Sequence, residues 1–242
     1  MRIVKLHTID STNNYLKEVA KSENLQADTV VWALEQTNGR GQMGTVWETE
    51  AGKNLTFSIF RKVQRITVAQ QFYVTMAASL AVKAVLEKLL IKNITVKWPN
   101  DILSDKKKIC GILIESVIKK GKLDALILGV GLNVNQTEFG HVPRATSIKE
   151  QTGIHFDLEE ILQLLLEQFH HFVDLLLNDR LDQIKDAYEA DLFRKNKAST
   201  FVKNNKQFVG IIKGVTPLGK LMVQEEDDII NTYDLKEIQL LY

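Results

Sequence analysis

Runs of apolar and polar residues set out most of the elements of this chain. Residues 2–8 read as a short strand. Ser11 then stands where a helix cap belongs, ahead of Tyr15, Leu16, Val19 and Ala20 at helical spacing. Thr29–Gln36, rich in β-branched and aromatic residues, predicts a buried strand. A glycine-bearing loop from Thr37 to about Lys53 precedes a strand over Asn54–Phe60. Ala69–Leu90 predicts a long helix with Phe72, Met76, Leu80 and Leu86 among its apolar positions. Ile94–Trp98 is a strand that meets Pro99, where a helix would break. Lys108–Ile118 and Leu123–Val134 are apolar strands joined through Lys119-Lys120-Gly121-Lys122, a hairpin with a charged turn. Asn135–Arg144 reads as a loop. Asp157, with Glu160 three residues on, predicts a capping box that opens a second long helix to about Asn178. Arg180–Phe193 predicts a further helix.

After Lys195 the elements shorten. Ser199–Val202, Gln207–Gly214, Lys220–Gln224, Ile229–Tyr233 and Glu237–Tyr242 are short strands at turn-rich spacing, the pattern of a small β-barrel-like module. The expected division is residues 1–197 and residues 198–242. Hairpins mixed with long helices predict an α+β fold rather than a doubly wound parallel sheet.

Composition narrows the functions open to such a fold. Of 242 residues, 31 are Lys or Arg and 30 are Asp or Glu, a net charge of +1, so nothing global draws the chain to nucleic acid or an anionic membrane. Cys110 is the single cysteine, which excludes an intrachain disulfide and a Cys-rich metal site and suits a reducing cytoplasm. The five histidines show no metal spacing. The expectation is a cytoplasmic chain without a signal peptide or membrane span.

Two motifs fail on context. Gly39-x-Gly41-x-x-Gly44 has the dinucleotide-binding spacing, but Trp47-Glu48-Thr49-Glu50-Ala51-Gly52 leads into a strand, not into the helix that would hold a pyrophosphate. Gly214 to Lys220 resembles a P-loop, yet Leu221 stands where Ser or Thr must hold Mg2+.

Four segments survive: Ser11-Thr12-Asn13; Gln36 with Gly39-Arg40-Gly41-Gln42-Met43-Gly44 and Trp47; Lys97-Trp98-Pro99-Asn100-Asp101 with Lys108-Ile109-Cys110-Gly111; and Gly129-Val130-Gly131-Leu132-Asn133. In order and spacing, over nearly the whole chain, they resemble the biotin–protein ligase family. The resemblance implies a class II synthetase-like mixed sheet flanked by helices, with a small SH3-like C-terminal β-barrel. It implies that biotin is activated by ATP, with Mg2+, to biotinyl-5'-AMP, and that pyrophosphate is released. Biotin then passes to a lysine of a biotin carboxyl carrier protein or domain of a biotin-dependent carboxylase.

The resemblance also implies roles for residues. Ser11, Thr12, Asn13, Gln36, Gly39, Arg40, Gly41, Lys108 and Gly111 fall on biotin-binding positions. Arg40, Gln42, Trp47, Lys97, Asn100, Asp101 and Asn133 fall on the nucleotide side. Lys108, Arg40 and Lys97 are the catalytic candidates, because a carboxylate approaching a phosphate needs positive charge. Asp101 is the Mg2+ candidate. Cys110 should face away from the site as inert core.

Gln42 and Thr45 stand where many family members carry basic residues, which makes this loop less positive than usual. The chain opens on the catalytic domain's first strand, so a ligase without operator DNA binding is expected. Monomer and homodimer are both left open. The rival readings are a lipoate–protein ligase and a non-catalytic biotin- or nucleotide-binding regulator.

Overall fold

The computed structural model describes residues 1–22, 25, 28–63, 66–119, 122–140, 142 and 144–242. Among them, seven strands form one mixed sheet in the order β1-β2-β3-β7-β6-β5-β4. They are β1 (Arg2–Ile9), β2 (Thr29–Gln36), β3 (Leu55–Lys62), β4 (Ile94–Lys97), β5 (Asp101–Ser104), β6 (Lys107–Lys119) and β7 (Lys122–Leu132). Only the edge pair β1–β2 is parallel. It is joined by helix α1 (Thr12–Ser22), as a parallel crossover requires. The expected charged turn between β6 and β7 includes Lys120 and Gly121, which lie outside the described residues, as does Pro143 of the following loop.

The two faces of the sheet are covered differently. Helix α2 (Gln71–Lys88) is apolar nearly all round, from Tyr73 and Val74 through Leu86, and is correspondingly buried. With α4 (Leu158–Leu177) and α5 (Leu181–Ala190) it joins the main core. There Phe169 of α4 meets Phe57 of β3 edge-on at 6.1 Å. On the opposite face α1 buries Leu16 and Ala20 against Val31, Phe60, Ala125 and Ile127. Cys110 belongs to the α2 side, as expected, and burial pushes its thiol pKa far above the ordinary value.

The sheet positions a site because the α1 face changes character along its own strands. Period-two alternation puts Ser58 and Thr56 in line with Phe60 on β3. On β7 it puts Gly129 and Gly131 in line with Ala125 and Ile127. On β6, Gly111 pairs with Gly131. The apolar floor under α1 thus gives way, beyond the N-terminus of the helix, to a floor of glycines and hydroxyls.

Five further strands, β8 (Ala198–Lys203), β9 (Lys206–Val215), β10 (Leu221–Gln224), β11 (Ile230–Tyr233) and β12 (Gln239–Leu241), form an antiparallel sheet in the order β11-β10-β9-β8-β12. Its buried Phe201, Ile212, Val215, Leu221 and Val223 are continuous with the main core. Polar ties reinforce the junction: the Trp98 indole donates to the Gly219 carbonyl at 2.9 Å, and the Glu189 carboxylate accepts the Val215 N–H at 3.0 Å.

Some local expectations are corrected. Strand β5 was not anticipated: four residues after a proline give little periodicity, and β5 exists because it pairs on both sides, with β4 and β6. The short helix α3 (Ile148–Thr152), capped by the Ser147 hydroxyl, was also missed. The helix expected to reach Phe193 ends at Ala190, because residues 191–193 turn to bond Val96 of β4. Asp157 does cap α4 through the Glu159 and Glu160 N–H groups. Among the described residues no bond returns from the Glu160 side chain, so the cap is single rather than a box.

Tyr188 of α5 is fully buried and donates its hydroxyl to the Pro99 carbonyl at 2.9 Å, which anchors the turn that carries Asn100 and Asp101. Tyr188→Phe leaves that carbonyl without its donor and should cost about 1–2 kcal/mol in urea unfolding, with an unchanged denaturant slope.

Candidate functional site

The small-residue floor, the N-terminus of α1, the loop after β2 and the strand following the second sheet's last turn enclose a cavity of about 950 Å³. Ser11, Thr12, Asn13, Gln36, Arg40, Gly41, Gln42, Trp47, Lys97, Asn100, Asp101, Lys108 and Gly111 all line it. Predicted residues up to 100 positions apart in the chain thus converge on one space, from Ser11 to Gly111. Gly39 and Asn133 are not in the lining. Gly39 fixes the loop: its carbonyl accepts the Trp47 N–H at 2.9 Å, and a Cβ there would lie 2.2 Å from the Trp47 carbonyl oxygen. The buried Asn133 amide donates to the Thr146 carbonyl at 3.0 Å, so the structure uses it to hold the chain after the 135–144 loop.

One end of the cavity is lined mainly by amides and hydroxyls and is densely hydrogen-bonded. The Gln36 side-chain oxygen accepts from the Thr12 N–H at 2.8 Å and from its hydroxyl at 3.1 Å. The Thr12 and Ser58 hydroxyls lie 2.7 Å apart, and Ser58 donates to the Asn13 amide oxygen at 2.5 Å. Asn13 in turn donates to Glu115 at 2.9 Å. A Cβ at Gly129 would sit 2.4 Å from the Asn13 amide oxygen, so glycine is required for α1 to approach the strand.

Trp47 covers the middle. A Cβ at Gly131 would fall 2.3 Å from its ring and one at Gly111 3.1 Å from it, so the indole lies flat on bare backbone. Its N–H is buried and has no partner among the described residues. Beyond it the cationic end begins. The Lys108 ammonium lies 5.3 Å from the centre of the Trp47 ring and 2.6 Å from Asp101, and Lys97 lies 3.7 Å from the other Asp101 oxygen. Asn100 bonds the backbone of Ile112 through its amide, which ties the motif to β6.

Arg40 lines the cavity but does not join the lysines. Its guanidinium donates to Asn14 at 2.7 Å and pairs with Glu115 at 3.4 Å. Glu115, Ser58, Arg144 and Tyr242 are components that sequence reasoning missed. Glu115 carried a signal, being a lone charge inside the apolar run of β6. Ser58 looked like any polar strand position, and Arg144 and Tyr242 matched no motif.

The sequence profile of the Biotin/lipoate A/B protein ligase family matches residues 6–133, and the chain belongs to that family. It is 27% identical over 240 residues to the bifunctional ligase/repressor BirA of Escherichia coli, covering 98% of this chain and 74% of that protein. It is 29% identical to the biotin–[acetyl-CoA-carboxylase] ligase of Paracoccus denitrificans, covering 89% and 91%. The biotin protein ligase of Aquifex aeolicus, solved in complex with biotin and ATP, superposes with a TM-score of 0.82 at 26% identity over 99% of this chain and 98% of that one.

Burial alone would raise the Glu115 carboxyl, but the bonds from Lys17 and Asn13 and the charges of Lys17 and Arg40 outweigh it and hold its pKa below the ordinary 4.5. A lowered native value stabilises the fold above the ordinary range, and that contribution is lost as pH falls through the native value. Glu115→Gln should therefore cost about 1 kcal/mol in urea unfolding at neutral pH, with the difference from wild type shrinking below about pH 4.

Proposed function

We propose that this chain is an ATP-dependent biotin–protein ligase that forms biotinyl-5'-AMP and transfers biotin to a lysine of a biotin carboxyl carrier domain of a carboxylase. The observation that carries this is the polarity of the cavity described above. One end offers paired amides and hydroxyls, the other lysines around a carboxylate, and a tryptophan on a glycine floor lies between them. The ureido group of biotin both donates and accepts hydrogen bonds, and Gln36, Thr12 and Asn13 supply both kinds. Lipoate has no group for them to bind. The volume suits two ligands end to end.

In this reading the biotin carboxylate lies toward Lys108. A carboxylate oxygen attacks the α-phosphorus of ATP, the bond from that phosphorus to the β-bridging oxygen breaks, and pyrophosphate leaves with the electron pair. Lys108 stabilises the charge shared by the two approaching anions, and Lys97 holds the nucleotide phosphates. Arg40 sits at the biotin end and steadies the loop against α1. Mg2+, when bound, neutralises phosphate charge. Asp101 is the one carboxylate among the described residues lining the cavity, which suits an ion held mainly by phosphate oxygens. Trp47 and the loop exclude water from the mixed anhydride. The carrier's lysine amine then attacks the acyl carbon, AMP departs and the amine sheds a proton. Residues 1–197 form the catalytic part, and residues 198–242 close its nucleotide end. A cytoplasmic setting suits the lone thiol of Cys110.

Wild-type protein with ATP, Mg2+, biotin and a carrier domain should release pyrophosphate and raise the carrier's mass by one biotinyl group. Release with lipoate but not with biotin would refute the proposal. Lys108→Ala should reduce pyrophosphate release at least about 100-fold with the thermal unfolding midpoint unchanged.

A further inference from the structure

We infer that Arg144 is a third cation of the cavity's phosphate end and that Tyr242 is the positioning residue that holds it there. Arg144 follows the loop for which no motif assigns a contact, yet its side chain lines the cavity. Its backbone is fixed: the Lys108 N–H donates to the Arg144 carbonyl at 2.6 Å, and the Thr146 N–H donates to the Lys108 carbonyl at 3.0 Å. Residues 144–146 therefore run beside the start of β6, with Ala145 paired to Lys108 and Arg144 one position before that pair.

The side chain is steered by an aromatic ring. The Arg144 guanidinium lies 4.6 Å from the centre of the Tyr242 ring, and the Lys97 ammonium lies 5.2 Å from the same centre. Phe193 braces that ring edge-on at 5.0 Å. One aromatic thus gathers two cations that would otherwise repel each other. Among the described residues no carboxylate pairs with Arg144, and Asp101 is already engaged by Lys97 and Lys108. Lys97, Lys108 and Arg144, facing the one acidic side chain among the described residues of the lining, Asp101, leave this end with excess positive charge in a partly enclosed space, where an anion bearing several charges is the complementary ligand. A guanidinium presents a rigid planar fork that matches two phosphate oxygens at once, whereas an ammonium acts as a point charge. The ligand class is the β,γ-diphosphate of a nucleoside triphosphate, or the pyrophosphate it becomes. This deepens the proposed function and rests on it for the identity of the reaction, but the anion site can be tested without any acyl substrate.

The test is calorimetric titration of the full-length protein with pyrophosphate in the presence of Mg2+, beside steady-state KM values for ATP and biotin. Arg144→Ala should weaken pyrophosphate binding about tenfold and raise KM for ATP by a similar factor, with KM for biotin within about twofold of wild type. Arg144→Lys should recover part of the loss. Tyr242→Leu should weaken pyrophosphate binding about threefold, whereas Tyr242→Phe, which keeps the ring, should match wild type. Arg144 is exposed, so thermal unfolding midpoints of its variants should not move. Equal pyrophosphate affinity in wild type and Arg144→Ala, or no measurable affinity in wild type, overturns the assignment whichever acid the enzyme activates. A tenfold loss supports it even if that acid proves not to be biotin, an outcome that would refute only the proposed function.

Discussion

The cavity exists because three positions in the middle of a sheet carry no side chain. Gly111, Gly129 and Gly131 lie inside strands, where glycine weakens the sheet by about 0.5–1 kcal/mol relative to alanine. At Gly129 and Gly131 even one carbon would collide, with Asn13 in the first case and Trp47 in the second. The helix terminus, the loop and the cationic cluster take their places by reference to that bare backbone. The surrounding strands compensate with fully buried Leu55, Phe57 and Ile109 in the main core.

Charge is sorted along this floor. Arg40 is drawn to Glu115 and Asn14, which leaves its end of the cavity close to neutral, while Lys97 and Lys108 share the Asp101 carboxylate at the other end, beside Arg144. In the proposed function, that sorting would let an acid with a neutral bicyclic head and a nucleotide with a polyanionic tail bind in one relative orientation. Gln42 is uncharged, which leaves Arg40 as the one cation of the segment Gly39–Gly44. Glu115 fixes where that residue points.

Much of this was legible from sequence. Long periodic segments such as β2, β7, α2 and α4 carried their own signal, and the glycine-spaced motifs marked the floor before its geometry was known. What was not legible depended on contacts distant in sequence. Strand β5 is four residues long and is defined by its neighbours on both sides. The bond by which the Asn133 amide holds the Thr146 carbonyl was not visible in its motif. Arg144 could not be recognised because its placement comes from an added backbone pairing and from a ring 98 positions away, Tyr242. Glu115 was the exception, since a lone acid in an apolar strand can be seen without coordinates.

The apolar cluster that spans both sheets has a consequence for how the molecule comes apart. The turn at Ala198 divides the chain by pattern, yet Phe201, Ile212 and Val215 share one continuous interior with Leu86 and Tyr188. A seam of that kind does not open at little cost, because parting it would expose apolar surface on both sides at once. The two sheets should therefore unfold as one unit. The small sheet acts as a fixed wall of the site rather than a hinged flap, and what motion the chemistry needs falls to the loop that carries Trp47.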